Sequence, residues 1–334
     1  MNELRAAILG AGGMGWTHAD SLNRIDGVRL VCICDEVYEK AQTVLTDLHI
    51  SANIYDNFDD MTSREEFDLL YICLPPYAHN GQFEKAAARG INIFIEKPIA
   101  LDSSRGESMV AAAKAAGIKT HVGFHMRFGT AVRKLRAMID CGETGRPVLF
   151  NGRYQCNALH APWWRDVSLS GGQIFEQAIH LYDLCLHFFG NPQNTMGIKG
   201  NLCHAGIRTY TVEDVSASVT RFCSGAIAAI TATNCSIPGK WDAFCDLTFE
   251  HVSVSFTNPD TALFNYILPD GSVSSENFCN PCNQKFAESE AFIDALRGGY
   301  APPCPIEEGL RSLYFVEAVV RSASADGEKT TVKW

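Results

Sequence analysis

The sequence predicts an α/β domain with a doubly wound parallel sheet, joined to an α+β domain whose large open sheet is mainly antiparallel. Three observations carry this. In the first 123 residues, short apolar runs alternate with helical periodicities at the spacing of right-handed βαβ units. From about 195 to 275, strand-like runs follow one another with only turn residues between them, which leaves no room for helical crossovers. The length, 334 residues, exceeds the ~250–300 that one core usually supports. The predicted domains are residues 1–123 and 124–334, with a helix near 307–324 that is a candidate to pack back on the first domain.

The first strand is Leu4-Arg5-Ala6-Ala7-Ile8-Leu9, and it runs into Gly10-Ala11-Gly12-Gly13-Met14-Gly15. Met14, His18, Leu22 and Ile25 then recur at helical spacing, so a helix begins inside the glycine stretch. A strand, a glycine turn and a helix N-terminus in this order hold a pyrophosphate: bare N–H groups and the positive end of the helix dipole face it, and absent Cβ atoms let it approach. The next strand, 28–34, ends at Asp35, where a dinucleotide site places its ribose-binding acid. A carboxylate there accepts both ribose hydroxyls and repels a 2′-phosphate, and no arginine follows in Glu36-Val37-Tyr38. NAD is therefore expected over NADP. The same position also suits a turn or helix N-cap residue.

A polar-faced helix is expected to about Leu48, then a buried strand over 68–74 that stops at Pro75-Pro76. A helix from about Tyr77 to Arg89 ends at Gly90, and Ile91–Ile95 form a strand leading to Glu96-Lys97-Pro98. An alanine-rich helix over 102–116, capped by Asp102 or Ser103, precedes a last strand over 119–123. Beyond it lie a basic helix over 129–140, a strand over 147–156, Trp163-Trp164-Arg165, and a helix of roughly 173–189 after Gly171-Gly172. Strands then dominate to about 275, and helices over 284–297 and 307–324 complete the chain.

A net charge of -10 argues against nucleic acid and anionic membranes as partners. No apolar stretch approaches the ~18 residues that span a bilayer, and residues 1–10 lack a secretory pattern. Thirteen cysteines, scattered singly, suit a reduced, cytoplasmic protein. Cys279 and Cys282 form the one Cys-x-x-Cys pair, with no partner pair at zinc-site spacing, so no metal is expected.

In open parallel sheets, ligands bind beyond the carboxyl ends of the strands. Lys97 lies there and can orient a hydroxyl or stabilise an alkoxide, although a lysine at such a place is by default a solvated surface group. Glu176, His180 and Asp183 recur at i, i+4 and i+7 on an otherwise apolar helix and so share one face. His180 suits a proton acceptor with a carboxylate beside it, while one buried histidine is also commonly a satisfied core residue. Metal binding by this trio is disfavoured because no further ligands cluster with it.

The segments Gly10–Gly15, Asp35, Leu74-Pro75-Pro76 with His79, Glu96-Lys97-Pro98, Gly123 to Arg127-Phe128, and Gly171-Gly172 through His180 and Asp183 together resemble the Gfo/Idh/MocA oxidoreductase family. The resemblance spans most of the chain and includes the late Glu307-Glu308-Gly309-Leu310. It implies a Rossmann domain, a second domain with an open sheet, and homo-oligomers, dimers or tetramers, formed through that sheet. It implies catalysis by Lys97 and His180 with Glu176, where many relatives carry Asp. Gly10, Gly12, Gly13, Met14, Gly15, Asp35, Leu74, Pro75, His79, Glu96, Lys97 and Arg127 are then expected on the cofactor side. Lys97, His125, Tyr154, Trp163, Trp164, Arg165, Glu176, His180 and Asp183 are expected on the substrate side, facing a sugar or cyclitol, although tryptophans serve as often in cores. The leading expectation is NAD-dependent oxidation of a secondary alcohol. The alternatives on the same fold are an NAD-retaining glycosidase acting by transient oxidation, which would accumulate no NADH, and a non-catalytic sugar or NAD sensor, which needs no proton relay.

Overall fold

The computed structural model describes residues 3–334. The chain divides into two compact units, one comprising residues through Ala100, Ser104–Phe124 and Asn283–Leu310, the other Leu101–Ser103, His125–Cys282 and Arg311–Trp334.

In the first unit β1 (Leu4–Leu9), α1 (Gly13–Arg24), β2 (Val28–Cys34), α2 (Tyr38–Asp47), β3 (Asn53–Tyr55), α3 (Phe58–Arg64), β4 (Leu69–Ile72), α4 (Gln82–Ala88), β5 (Asn92–Ile95), α5 (Ser103–Ala116) and β6 (Thr120–Val122) succeed one another. The strands form one parallel sheet in the order β3-β2-β1-β4-β5-β6. This is the expected doubly wound arrangement, with its order reversing beside β1 and so placing the glycine turn at the switch point. The helix expected over 77–89 is interrupted: a 3₁₀ turn at Pro76–Ala78 and α4 are separated by Gly81, whose φ of 99° no continuous helix accommodates. Rings of His18, Tyr71, Phe94, His121 and Phe292 stack through the interior of this unit, with Phe292 contributed by α9 (Gln284–Gly298).

The second unit contains α6 (Thr130–Asp140), β7 (Pro147–Gln155), α7 (Val167–Ser170), α8 (Ile179–Phe189), β8 (Pro192–Gly200), β9 (Val215–Phe222), β10 (Ile227–Thr233), β11 (Asp242–Phe249), β12 (Val252–Asn258), β13 (Thr261–Ile267), β14 (Val273–Cys279), β15 (Thr330–Thr331) and most of α10 (Ile306–Ser324). Its nine strands lie in the order β14-β13-β12-β11-β7-β10-β9-β8-β15. As expected the sheet is mainly antiparallel; the β7–β10 pair is parallel. Alternate residues of β8, β9 and β10 are buried, and α8, apolar nearly all round, packs on β7 and β10.

The predicted helix over 173–189 starts differently. Residues Ile174–Ala178 form a π turn before α8 begins. Its entry is set by Gly171 and Gly172, both at positive φ, and by the buried Glu213 carboxylate, which accepts the Ile174 N–H at 2.8 Å. A Cβ on Gly172 would collide with that carboxylate, so the close approach requires glycine. Among the described residues no helix is long and apolar enough to cross a membrane.

Candidate active site

The first unit builds a dinucleotide cradle from the glycine turn upward. A Cβ on Gly15 would strike the Gly10 carbonyl oxygen, and one on Gly10 would approach Cys73 O at 2.7 Å, so both glycines permit close helix–strand contact. At Gly12 and Gly13 a Cβ would meet nothing within 4 Å, leaving open space above the start of α1. That helix has no side-chain cap and no acid in its first turn, so its N–H groups and dipole are available to an anion. These residues fit a dinucleotide. Asp35 Oδ2 accepts the Ala11 N–H at 2.7 Å and Oδ1 accepts Val37 N–H at 2.9 Å. The acid thus ties the glycine turn to the end of β2, and each oxygen retains acceptor capacity for ribose hydroxyls. Val37, not Asp35, is the N-cap residue of α2.

Two residues expected on the cofactor side, His79 and Glu96, have further duties in the fold. His79 is buried, with Nδ1 2.7 Å from Ile99 O and Nε2 3.3 Å from Leu74 O, so it braces the Leu74-Pro75 loop against the segment after Lys97. Burial holds its imidazole below the ordinary pKa. Glu96 points inward: Oε1 is 2.8 Å from His18 Nε2, and Oε2 accepts the Lys97 N–H at 3.2 Å. A Cβ on Gly123 would sit 2.8 Å from this carboxylate, which explains the glycine there. Lys97 follows the end of β5, partly exposed, and its bond to Pro98 is cis.

In the second unit the predicted stripe has distinct partners at each position. Glu176, within the π turn, accepts the Trp164 indole N–H at 2.8 Å. His180 is buried, its ring edge-on to His125 with centroids 4.7 Å apart. Asp183 takes both arms of Arg127, at 2.8 and 2.7 Å, and the Ser312 hydroxyl at 3.1 Å. Asp183 and Arg127, expected on the substrate and cofactor sides, are thus bound to each other, since a buried charge needs an opposite one in close contact.

Residues 4–124 match the NAD-binding Rossmann domain of the GFO/IDH/MocA oxidoreductase family, and residues 132–255 match that family's C-terminal domain. The chain belongs to the GFO/IDH/MocA family. Its cofactor is NAD, and it is an oxidoreductase. It is 26% identical over 313 residues to scyllo-inositol 2-dehydrogenase (NAD(+)) of Bacillus subtilis, covering 90% of this chain and 88% of that one. It is 25% identical to inositol 2-dehydrogenase of Salmonella typhimurium, over 96% and 94% of the two chains. Levoglucosan dehydrogenase in complex with NADH and levoglucosan superposes with a TM-score of 0.89 at 19% identity, over 99% and 100% of the chains, which shows the shared fold.

Around Glu176 the aromatic residues sort by depth. Trp164 is buried against Tyr210 and Val212, with His160 4.1 Å away ring to ring, and Trp163 is partly buried on the same cluster. Arg165 donates to the carbonyls of Leu159 and His160, at 2.5 and 2.9 Å, and so braces the loop over 157–160. The Tyr154 phenol is held well above its usual range by burial and then by the charge of Glu176. Sequence reasoning missed a polar cluster next to these groups: Gln177 lies 3.2 Å from His160 Nε2 and from Gln173, and Cys156 donates to Asn234 Oδ1 at 3.1 Å. Its signal was present, since Gln173 and Gln177 sit one helical turn apart on an apolar helix.

Proposed function

We propose that this protein oxidises a secondary alcohol of a sugar or cyclitol, with Lys97 and His180 as its catalytic residues. The observation that carries the reading is the uncapped start of α1 above Gly12 and Gly13, with Asp35 alongside, on a chain aligned nearly end to end with relatives named for inositol oxidation. NAD, when bound, supplies the hydride acceptor, and Gly10–Gly15 and Asp35 would hold it. His180 takes the hydroxyl proton as hydride leaves the carbinol carbon, and the Lys97 ammonium orients the oxygen and stabilises its developing charge. Glu176 sets the field at His180 and is itself steadied by the Trp164 indole. Tyr154, Trp163 and His125 are the ring-facing groups of this proposal.

The chain is further proposed to work as a homo-oligomer in a reduced, cytoplasmic setting. Met196 and Ile198 of β8, Val219 of β9, Ile227 of β10 and Leu149 of β7 are 40–59% exposed, and pairing aligns Met196 with Val219 and Ile227 with Leu149. Such a contiguous apolar face on an open sheet suits a second copy. All thirteen cysteines are free thiols. The test is NADH absorbance during incubation with NAD and a panel of inositols, sugars and glycosides. Lys97→Ala and His180→Ala should each lower kcat by ~100-fold or more while NAD binding persists. Near-normal turnover in both variants refutes these roles.

A further inference from the structure

Away from α8, three ligand atoms from three segments converge. The thiols of Cys203, after β8, and Cys235, after β10, and the carboxylate of Asp214, before β9, lie within 4.8 Å of one another. Among the described residues this is the one such group. Its centre is rigidly held. Asp214 is fully buried and accepts the N–H groups of Leu202, Cys203 and His204 at 2.8, 2.8 and 2.9 Å, and the His204 ring nitrogen lies at 3.0 Å. Oδ2 carries three of these contacts and Oδ1 only that from Leu202, so Oδ1 keeps a lone pair for another partner. The Asp214 backbone carbonyl in turn accepts Asn234 N–H, the Thr233 hydroxyl and the Cys235 thiol, which fixes the third segment against the first two.

We propose that Cys203, Cys235 and Asp214 bind a thiophilic divalent cation of the zinc class, with a fourth position open to solvent beside the exposed Cys203. Metal–sulfur bonds of ~2.3 Å and a metal–oxygen bond of ~2.0 Å set tetrahedral ligand atoms roughly 3.5–3.8 Å apart. The three atoms all lie within 4.8 Å of one another. Binding takes up both sulfurs as thiolates and releases their protons. The site would staple the 201–214 loop to β9 and β10. That loop carries Tyr210, whose hydroxyl accepts from Asn234 at 2.8 Å and whose ring lies 6.2 Å from Trp164.

The test titrates cadmium into the reduced, metal-stripped full-length protein and follows the thiolate-to-metal charge-transfer absorbance, with zinc as competitor. One equivalent per chain should bind, more tightly as pH rises, and zinc should raise the thermal midpoint. Cys203→Ser and Cys235→Ser should each weaken binding beyond the ~10–100-fold that outer-sphere partners carry and remove the thermal shift, whereas Cys279→Ser should do neither. Absence of the band in the unsubstituted protein overturns the proposal. So does its persistence in both serine variants, or a Cys203–Cys235 disulfide that forms in preference to the cadmium complex.

Discussion

Replacing Arg127 by Leu removes two charge-assisted hydrogen bonds, of 2.8 and 2.7 Å, from an Asp183 carboxylate that is 1% exposed. Breaking a buried ion pair from one side costs ~3–5 kcal/mol. Here the Ser312 hydroxyl at 3.1 Å remains as a donor, which puts the loss at the lower end, about 3 kcal/mol. At ~2–4 °C per kcal/mol the thermal midpoint should fall by roughly 6–12 °C. Asp183→Leu should cost a similar amount by stranding the guanidinium. The double variant, with neither charge buried, should recover about 2 kcal/mol or more relative to the sum of the singles. The assay is a double-mutant cycle in urea and by calorimetry, with NAD affinity followed in parallel and expected to hold. A loss below about 1 kcal/mol for Arg127→Leu, or strict additivity, would refute the reasoning. So would a large loss of NAD affinity at unchanged stability, which would assign Arg127 to the cofactor rather than to the fold.

Further outcomes follow from the same geometry. Gly15→Ala places a methyl against the Gly10 carbonyl oxygen and should destabilise the first unit, whereas Gly13→Ala meets nothing within 4 Å, should fold normally by circular dichroism, and should bind NAD more weakly by calorimetry. Asp35→Ser combined with Glu36→Arg should shift the ratio of NADP to NAD turnover upward; an unchanged ratio removes Asp35 from cofactor selection. The His187 imidazole is pushed down to about 2 by burial and then by Arg127 and Arg136, so the unfolded chain takes up the proton first. Its contribution is complete above the ordinary value of 6.5 and is lost as pH falls below it, by about 1.4 kcal/mol per pH unit. His187→Leu should flatten that part of the stability profile between pH ~6.5 and ~4.5.

What was legible from sequence is what short-range periodicity encodes. β1, the glycine turn, α1 and β2 emerge within a residue or two of their observed bounds because apolar runs and glycines act locally. β3 and α3 were not foreseen: three residues at a sheet edge and seven polar-rich residues capped by Asn57 carry too little pattern. The π turn was hidden because its cause, Glu213, lies far along the chain. The same distance hid the partners of the candidate site. A helical wheel puts Glu176, His180 and Asp183 on one face, but Trp164, His125 and Arg127, which decide what each does, approach from other segments. His79 and Glu96 show the complementary effect, since family motifs mark them while burial turns them into braces of the loops that carry Lys97.

Oxidation of a ring alcohol by direct hydride transfer is tested most directly with substrates deuterated at the carbinol carbon. Incubation with NAD and ring-deuterated inositols or anhydrosugars, followed by mass spectrometry of the nicotinamide product, should yield reduced cofactor carrying one deuterium. Reduced cofactor without the label, or none across the whole panel while the protein binds both ligands, would contradict it.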